Sequence, residues 1–553
     1  MNNLLHRSLI SSMNSLGWEN KYFTLRALSD GVMTLNPPNI QSKINPSLVS
    51  GYIFNEPFTS SCEIIVDINN LVDIDYGIKG GDYFYEYGFE TNPDGLTNQL
   101  CIYKSDEELY LDEGVDYNDV FFHCGVERVD GVTYDKWRKA ERDNIDEPLY
   151  WASGNVSNGE YYILTKRVTI DISSSYSINE GEWIPFYETV NLSLNKGDDV
   201  RVKCITDSFR SNKLKSLFDF TCDCDVCGNI MSLVYGDNFK GQTDLKSNAF
   251  YNLFKNCTTL RNAKNLILPA TTLGLGCYSY MFSGCTNLIT APELPATTLT
   301  LGGDCYSHMF SGCTSLTFAP QRLPATALGI GCYSYMFSGC TSLTTAPELP
   351  ATTLADGCYE YMFQGCKSLT AAPNLYATTL GLGCYAYMFS GCTSLTTAPE
   401  LPATTLASNC YSSMFSGCTS LTTPPALISN TLADGCYSSM FSGCTSLTIA
   451  PLLPAMTLAS GCYEYMFNGC TSLTIAPALS ATTLVYWCYQ RMFYNCSNLS
   501  EIWMCATDIN ATGCLFEWVK GVKNTGIFYK DIYTSLPSGI SGIPTGWQVY
   551  NNK

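Results

Sequence analysis

Apolar residues fall at fixed places in a unit that recurs through the second half of the chain. In Leu354 to Thr379, LADGCYEYMFQGCKSLTAAPNLYATT, the apolar positions Cys358, Met362, Phe363 and Cys366 fall at i, i+4, i+5 and i+8. That spacing predicts one or two helical turns with these four side chains inward and Tyr359 at their edge. Glu360, Tyr361 and Gln364 then point outward, and Gly365 permits a tight exit. The following stretch, KSLTAAPNLYATTL, has Leu369, Ala372 and Leu375 as its apolar positions, with Ser and Thr among them. The sibling copy carries Pro347 and Pro350, which lack the N–H that a regular ladder needs. The strand is therefore expected to be only two or three residues long.

The unit repeats with cysteine pairs at 277/285, 305/313, 332/340, 358/366, 384/392, 410/418, 436/444, 462/470 and 488/496, the step settling at 26 residues from Cys332 onward. A fixed period in this range predicts a solenoid, in which no unit buries its apolar face alone and each stacks on its neighbours. NAFYNLFKNCTTL, around Cys257, already carries the same Phe, Cys and Leu spacing and reads as an N-terminal cap or degenerate first repeat.

Upstream, the pattern is one of alternation. YFTLRAL, VMTL, RVTIDIS, EWIPFY, VNLSL and VRVKCI are separated by Gly, Asp and Asn, the signature of antiparallel strands. Residues 22–35 and about 165–235 are expected to form one β-sandwich, interrupted by an acidic, tyrosine-rich insertion at about 36–164. The expected fold class is mixed α/β. It comprises an N-terminal arm (1–21), a sandwich-like domain (22–235) with its insertion, a solenoid of about 26-residue repeats (236–505), and a short β cap (506–553).

Composition narrows the function. The 553 residues carry a formal net charge of -19 with only 31 Lys and Arg, so the field of the chain repels phosphate backbones and anionic lipid headgroups. Nucleic-acid binding and membrane insertion are not expected, and no apolar run approaches the roughly 18 residues of a spanning helix. The first residues, MNNLLHRSLISSMNSLGWENKYF, do not read as a secretory leader. The 28 cysteines are therefore expected to stay reduced, as buried thiols filling a narrow interior.

Candidate chemistry is sparse. Cys222, Cys224 and Cys227, with Cys204 on a neighbouring strand, resemble a zinc site in composition, but no second C-x-x-C accompanies them, and no metal or cofactor is expected. Only His6, His123 and His308 are available as histidine bases, and no phosphate-binding glycine loop is present. No catalytic residue is assigned. The outward position five residues before each second cysteine reads Tyr280, His308, Tyr335, Tyr361, Tyr387, Ser413, Ser439, Tyr465 and Arg491. Stacking aligns these into a stripe. Tyr280, His308, Tyr335, Tyr361, Tyr387, Tyr465 and Arg491 are the candidate binding residues for a sugar chain or protein, the alternative being a ladder that merely covers its side of the repeat.

Met362, Phe363, Cys366 and Leu369 occupy the places of a Cys-Tyr-x-x-Met-Phe-x-x-Cys-x-x-Leu pattern that resembles the BspA-like leucine-rich repeats. The chain departs from that family in Cys358, where an Ile is usual, and in the second proline of APELP. The flanks GNIMSLVYGDNFKGQTDL and SGISGIPTGWQVY resemble proteins of gut Bacteroidales and of their phages and prophages. The resemblance implies recognition or adhesion at a surface and supplies no catalytic residues. Three functions follow as expectations. The first is a non-enzymatic virion component, a fibre or capsid-decorating protein assembled in the host cytoplasm. Its N-terminal half would meet other virion proteins, and its array would meet a host-surface glycan or protein. The others are a bacterial cell-surface adhesin and an enzyme within the 36–164 insertion.

Overall fold

The computed structural model describes residues 17–36, 174–186, 189–204, 218–299 and 303–552, together with the backbone of seven strands between 75 and 162. The N-terminal arm lies largely outside the described residues. The chain divides into two compact units, one of Met1–Asn36, Tyr176–Ile184 and Val190–Lys553, the other of Pro37–Ser175 and Pro185–Thr189. In the second unit, Asp75–Gly80, Tyr83–Thr91, Thr97–Tyr103 and Glu160–Tyr162 form one antiparallel sheet. Phe121–Val129, Val132–Lys139 and Leu149–Ala152 form another.

In the first unit, the strands Asp199–Cys204, Phe23–Ala27 and Cys224–Asn229 lie side by side and antiparallel. A second sheet joins Val190–Leu194, Gly31–Leu35 and Phe218–Phe220. Alternation along these strands puts Phe23, Leu25, Met33, Leu35, Val200, Val202 and Phe218 in the core. Phe23 and Phe218 stack with ring centroids 5.3 Å apart. The first sheet does not stop there. Cys224–Asn229 pairs in parallel with Leu260–Ile267, and Asn262 of that strand bridges in parallel to Thr290 of the next coil. The repeat array thus grows from the edge of the β-domain.

Each coil of the array has two arcs. On the strand arc, pairing is parallel and very short: Thr345 bridges Ala371, which bridges Thr397, which bridges Thr423, while Leu349 bridges Leu375. On the other arc, the expected helical turn is not a helix. Gly357, Tyr361 and Gly365 all have positive φ (62°, 55° and 70°). A left-handed residue at every fourth position breaks the i to i−4 ladder. Instead the N–H groups of Glu360, Met362, Gln364 and Cys366 bond carbonyls three residues back. Those of Tyr359, Tyr361, Phe363 and Gly365 donate to Cys384, Ala386, Met388 and Ser390 of the next coil at 2.7–2.9 Å. Alternate amides therefore run along the stack and tie coil to coil. The mixed α/β expectation is corrected accordingly. The described residues are mostly strand, bridge and turn, with one four-residue α-helix, Ser232–Tyr235, and short 3-10 turns.

Between the arcs lies a narrow core. Cys358, Met362, Phe363, Cys366 and Leu369 are fully buried, and so is Tyr359, which is not at the edge as its spacing suggests. Phe254 to Phe493 form a continuous ladder with centroids 5.3–5.9 Å apart. A second ladder runs from Tyr278 to Tyr489 at 5.3–6.1 Å. Each buried Phe, Met or Leu is worth roughly 1.5–3 kcal/mol, gained only because a neighbouring coil covers it. Phe254 stacks on Phe218, so the phenylalanine ladder begins in the β-domain. At the far end Trp518 takes the ladder position and donates its indole N–H to the Gly542 carbonyl at 2.9 Å. There the parallel strands Glu501–Met504, Ile527–Asp531 and Gln548–Asn552 close the array.

Candidate recognition surfaces

The stripe of sequence-predicted residues is brought together. Tyr280, His308, Tyr335, Tyr361 and Tyr387 stack face to face with centroids 4.3–4.4 Å apart and planes within 13° of parallel. All five are half-buried and all have positive φ, between 55° and 57°. Such a conformation is unusual for a bulky residue. It is held by the bond each amide makes to the next coil, such as Tyr361 N–H to the Ala386 carbonyl at 2.9 Å.

Lys255 caps one end of the stack, its ammonium 4.6 Å from the Tyr280 ring centre. At the other end the small side chains of Ser413 and Ser439 interrupt it. Tyr465 and Arg491 form a separate group: the guanidinium donates to the Tyr465 hydroxyl at 2.6 Å and pairs with Glu517 at 2.8 Å.

Stacking has a chemical consequence. His308, Tyr335 and Tyr361 each have both ring faces covered by neighbours, so they offer solvent only ring edges and polar atoms. Burial raises the Tyr361 hydroxyl above the usual phenol range, with Tyr335 and Tyr387 adding to it. Burial lowers the His308 imidazole to about 4, with Lys255 adding to that effect. The imidazole is thus neutral at pH 7, with Nδ1 2.9 Å from the Ser307 hydroxyl.

The strand arc carries side-chain columns that the sequence pattern does not single out. The position before the inner leucine reads Glu293, Arg322, Glu348, Asn374, Glu400, Ala426, Leu452 and Ala478 along the array. The near-identity of the repeats draws the eye to what they share, whereas these are places where they differ. One region is apolar. Ile449, Leu452 and Met456 stand where the sibling coil has Thr345, Glu348 and Thr352, and they are 70%, 78% and 68% exposed. Ile475 extends this patch into the next coil.

The cysteines of the CDCDVC cluster do not converge on one point. Cys224 is held well above the ordinary thiol range, first by its hydrogen bond to Cys257 of the array and then by burial. Among the described residues, no three His, Cys, Asp or Glu side chains gather as a metal ion would require, and no disulfide joins the cysteines. His6 and the side chain of His123 lie outside the described residues. No described helix is long and apolar enough to cross a membrane.

With this geometry in view, the family comparison is specific. Residues 243–370, 307–431, 359–500 and 435–517 match the model of the BspA type leucine-rich repeat region, in six copies. No curated protein and no solved structure matches the chain.

Proposed function

We propose that this chain, whose array consists of BspA-type leucine-rich repeats, is a non-enzymatic surface-recognition protein. Repeats of this type mediate surface adhesion and protein interaction. The observation that carries the reading is how variation is distributed within the repeat. Cys358, Tyr359, Met362, Phe363, Cys366 and Leu369 recur unchanged from the coil of Cys277 to that of Cys488. The strand-arc column before the inner leucine changes from Glu to Arg, Asn, Ala and Leu. A solenoid with a constant interior can vary its surface without changing its frame, which suits binding to an extended partner.

The carrier we propose is a virion, with the array directed at a glycan or protein of a host surface and the N-terminal half attached to other virion proteins. The paired cysteines of the repeats support this: they are buried and, among the described residues, joined by no disulfide. A chain so rich in cysteine thiols folds most safely in a reducing compartment, and a particle assembled in the cytoplasm provides one. The acidic field of the chain argues against nucleic acid as its partner.

The test uses the labelled full-length chain on intact bacterial cells, together with antibodies against it on purified virions. Saturable binding that unlabelled chain competes away, with antibody labelling of particles, is the expected result. Labelling of the bacterial surface instead would make the chain a cell-surface adhesin. Absence of saturable binding to any cell would overturn the recognition role.

A further inference from the structure

Two departures from the repeat pattern stand on the coils either side of the coil of Glu348 and line one cleft of the strand arc. Arg322 stands in the column where Glu293, Glu348 and Glu400 are found, and it bridges directly to Glu348. Tyr376 replaces the proline found at Pro350, Pro402 and Pro454. With Glu348 and Asn374 they line a cleft of about 620 Å³. That volume falls within the roughly 300–1,000 Å³ of small-ligand sites.

The walls are stiff, because Pro347, Pro350 and Pro373 line the same cleft and proline fixes its own φ. Little order remains to be imposed when a ligand enters. Tyr376 is 52% exposed, so it differs from the half-buried tyrosines of the stacked stripe in having surface free. Its hydroxyl accepts from the Asn374 amide at 3.3 Å. Arg322 Nε is buried and has no hydrogen-bond partner, the nearest Glu348 oxygen being 3.8 Å away. The Arg322 side chain as a whole keeps 31% of its surface exposed, and that part is open to a ligand in the cleft.

We propose that the cleft of Arg322, Glu348, Asn374 and Tyr376 is a subsite for a neutral oligosaccharide, seating one hexose against the tyrosine ring. The assignment rests on the recognition reading above and narrows it to a ligand class. A sugar hydroxyl both donates and accepts. The cleft matches that with a guanidinium donor, a carboxylate acceptor and an amide that does both. The C–H face of a hexose carries slight positive charge and suits the negative face of an aromatic ring. Arginine and glutamate together leave the cleft without net charge, and the -19 of the whole chain repels acidic saccharides.

The experiment is titration calorimetry of the full-length chain with neutral hexasaccharides of glucose, mannose and galactose, and with a hexuronate. Tyr376→Pro installs the residue that sibling coils already accommodate, and Arg322→Gln removes the donor charge, so both variants are expected to keep the fold. At least one neutral hexasaccharide should bind, with each variant weakening it about tenfold or more. The assignment falls if no neutral saccharide binds, if the hexuronate binds more tightly, or if both variants bind as the parent does. Saturable binding to cells that persists in those cases would leave the recognition role standing, whereas loss of all cell binding by the parent chain would remove that role itself.

Discussion

Cys392 donates its thiol hydrogen to the Phe363 carbonyl of the preceding coil at 3.1 Å. The same contact recurs from Cys285 to Cys496 at 3.0–3.1 Å. The Phe363 carbonyl also accepts the Cys366 N–H at 3.1 Å, so the thiol takes its second lone pair. Burial pushes the Cys392 thiol up to about 12, which keeps the donor protonated through the neutral range. A small apolar filler that also donates is what this position requires. Cys392→Ala removes the donor and leaves a void, while Cys392→Ser keeps a donor but buries a more polar atom. Each is expected to cost about 1–3 kcal/mol, read from the shift in a denaturant midpoint at unchanged slope. An Ala variant as stable as the parent would mean that the thiol contact contributes nothing. The inward placement of both cysteines was legible in the spacing of the repeat. The donor role was not, because its acceptor belongs to the preceding coil and nothing in the sequence marks it.

The arc that carries the tyrosines shows where periodicity alone misleads. Positions i, i+4, i+5 and i+8 fit a 3.6-residue helix and equally fit a chain that turns with a period of four. Glycine separates the two: Gly357 and Gly365 flank Tyr361 at four residues on either side, and glycine is a poor choice within a helix. Their positive φ values are what a four-residue period with alternate amides directed along the stack demands. Side-chain neighbours along the arc follow from the same geometry. A β-carbon added at Gly331 would lie 2.2 Å from Asp304 Oδ1, and one at Gly435 would lie 2.2 Å from Asn409 Oδ1. A side chain at this position therefore lies over the glycine of the following coil and would have to turn aside for any larger residue there. The stripe itself was legible as an alignment of residues, but its face-to-face closure depends on the tight coil spacing and was not. His308 makes the stack testable by pH. Its folded pKa of about 4 lies below the unfolded value near 6.5. Protons are then taken up preferentially by the unfolded chain, and this contribution to stability is present above about pH 6.5 and lost as pH falls toward 4. His308→Tyr restores the commoner residue and removes that dependence. The melting temperature of the variant relative to the parent should therefore rise as pH falls across this window. A difference that stays constant from pH 7 to pH 4 would contradict the assignment.

Across the whole array, stability is local in origin, because each coil bonds only to the coils on either side. The sequence made the repeat region visible but not its junction. CDCDVCGN invites a reading as metal ligands, yet Cys224–Asn229 is the strand onto which Leu260–Ile267 pairs in parallel. Parallel partners joined by a long connection leave no turn signature. That junction covers one end of the stack with a folded sheet, and the strands from Glu501 to Asn552 cover the other. A defect placed between them should stay between them. Met388 is fully buried, and its carbonyl accepts the Phe363 N–H at 2.9 Å. Met388→Ala is expected to cost about 2–5 kcal/mol locally. Hydrogen exchange followed by mass spectrometry should then show faster exchange at the amides around Phe363, Phe389 and Phe415. The strands Phe23–Ala27 and Glu501–Met504 should keep the protection of the parent, since no coil they touch has changed. Equal loss of protection from Phe23 to Met504 would show instead that β-domain and array open as one cooperative body, and that the end structures stabilise every coil between them.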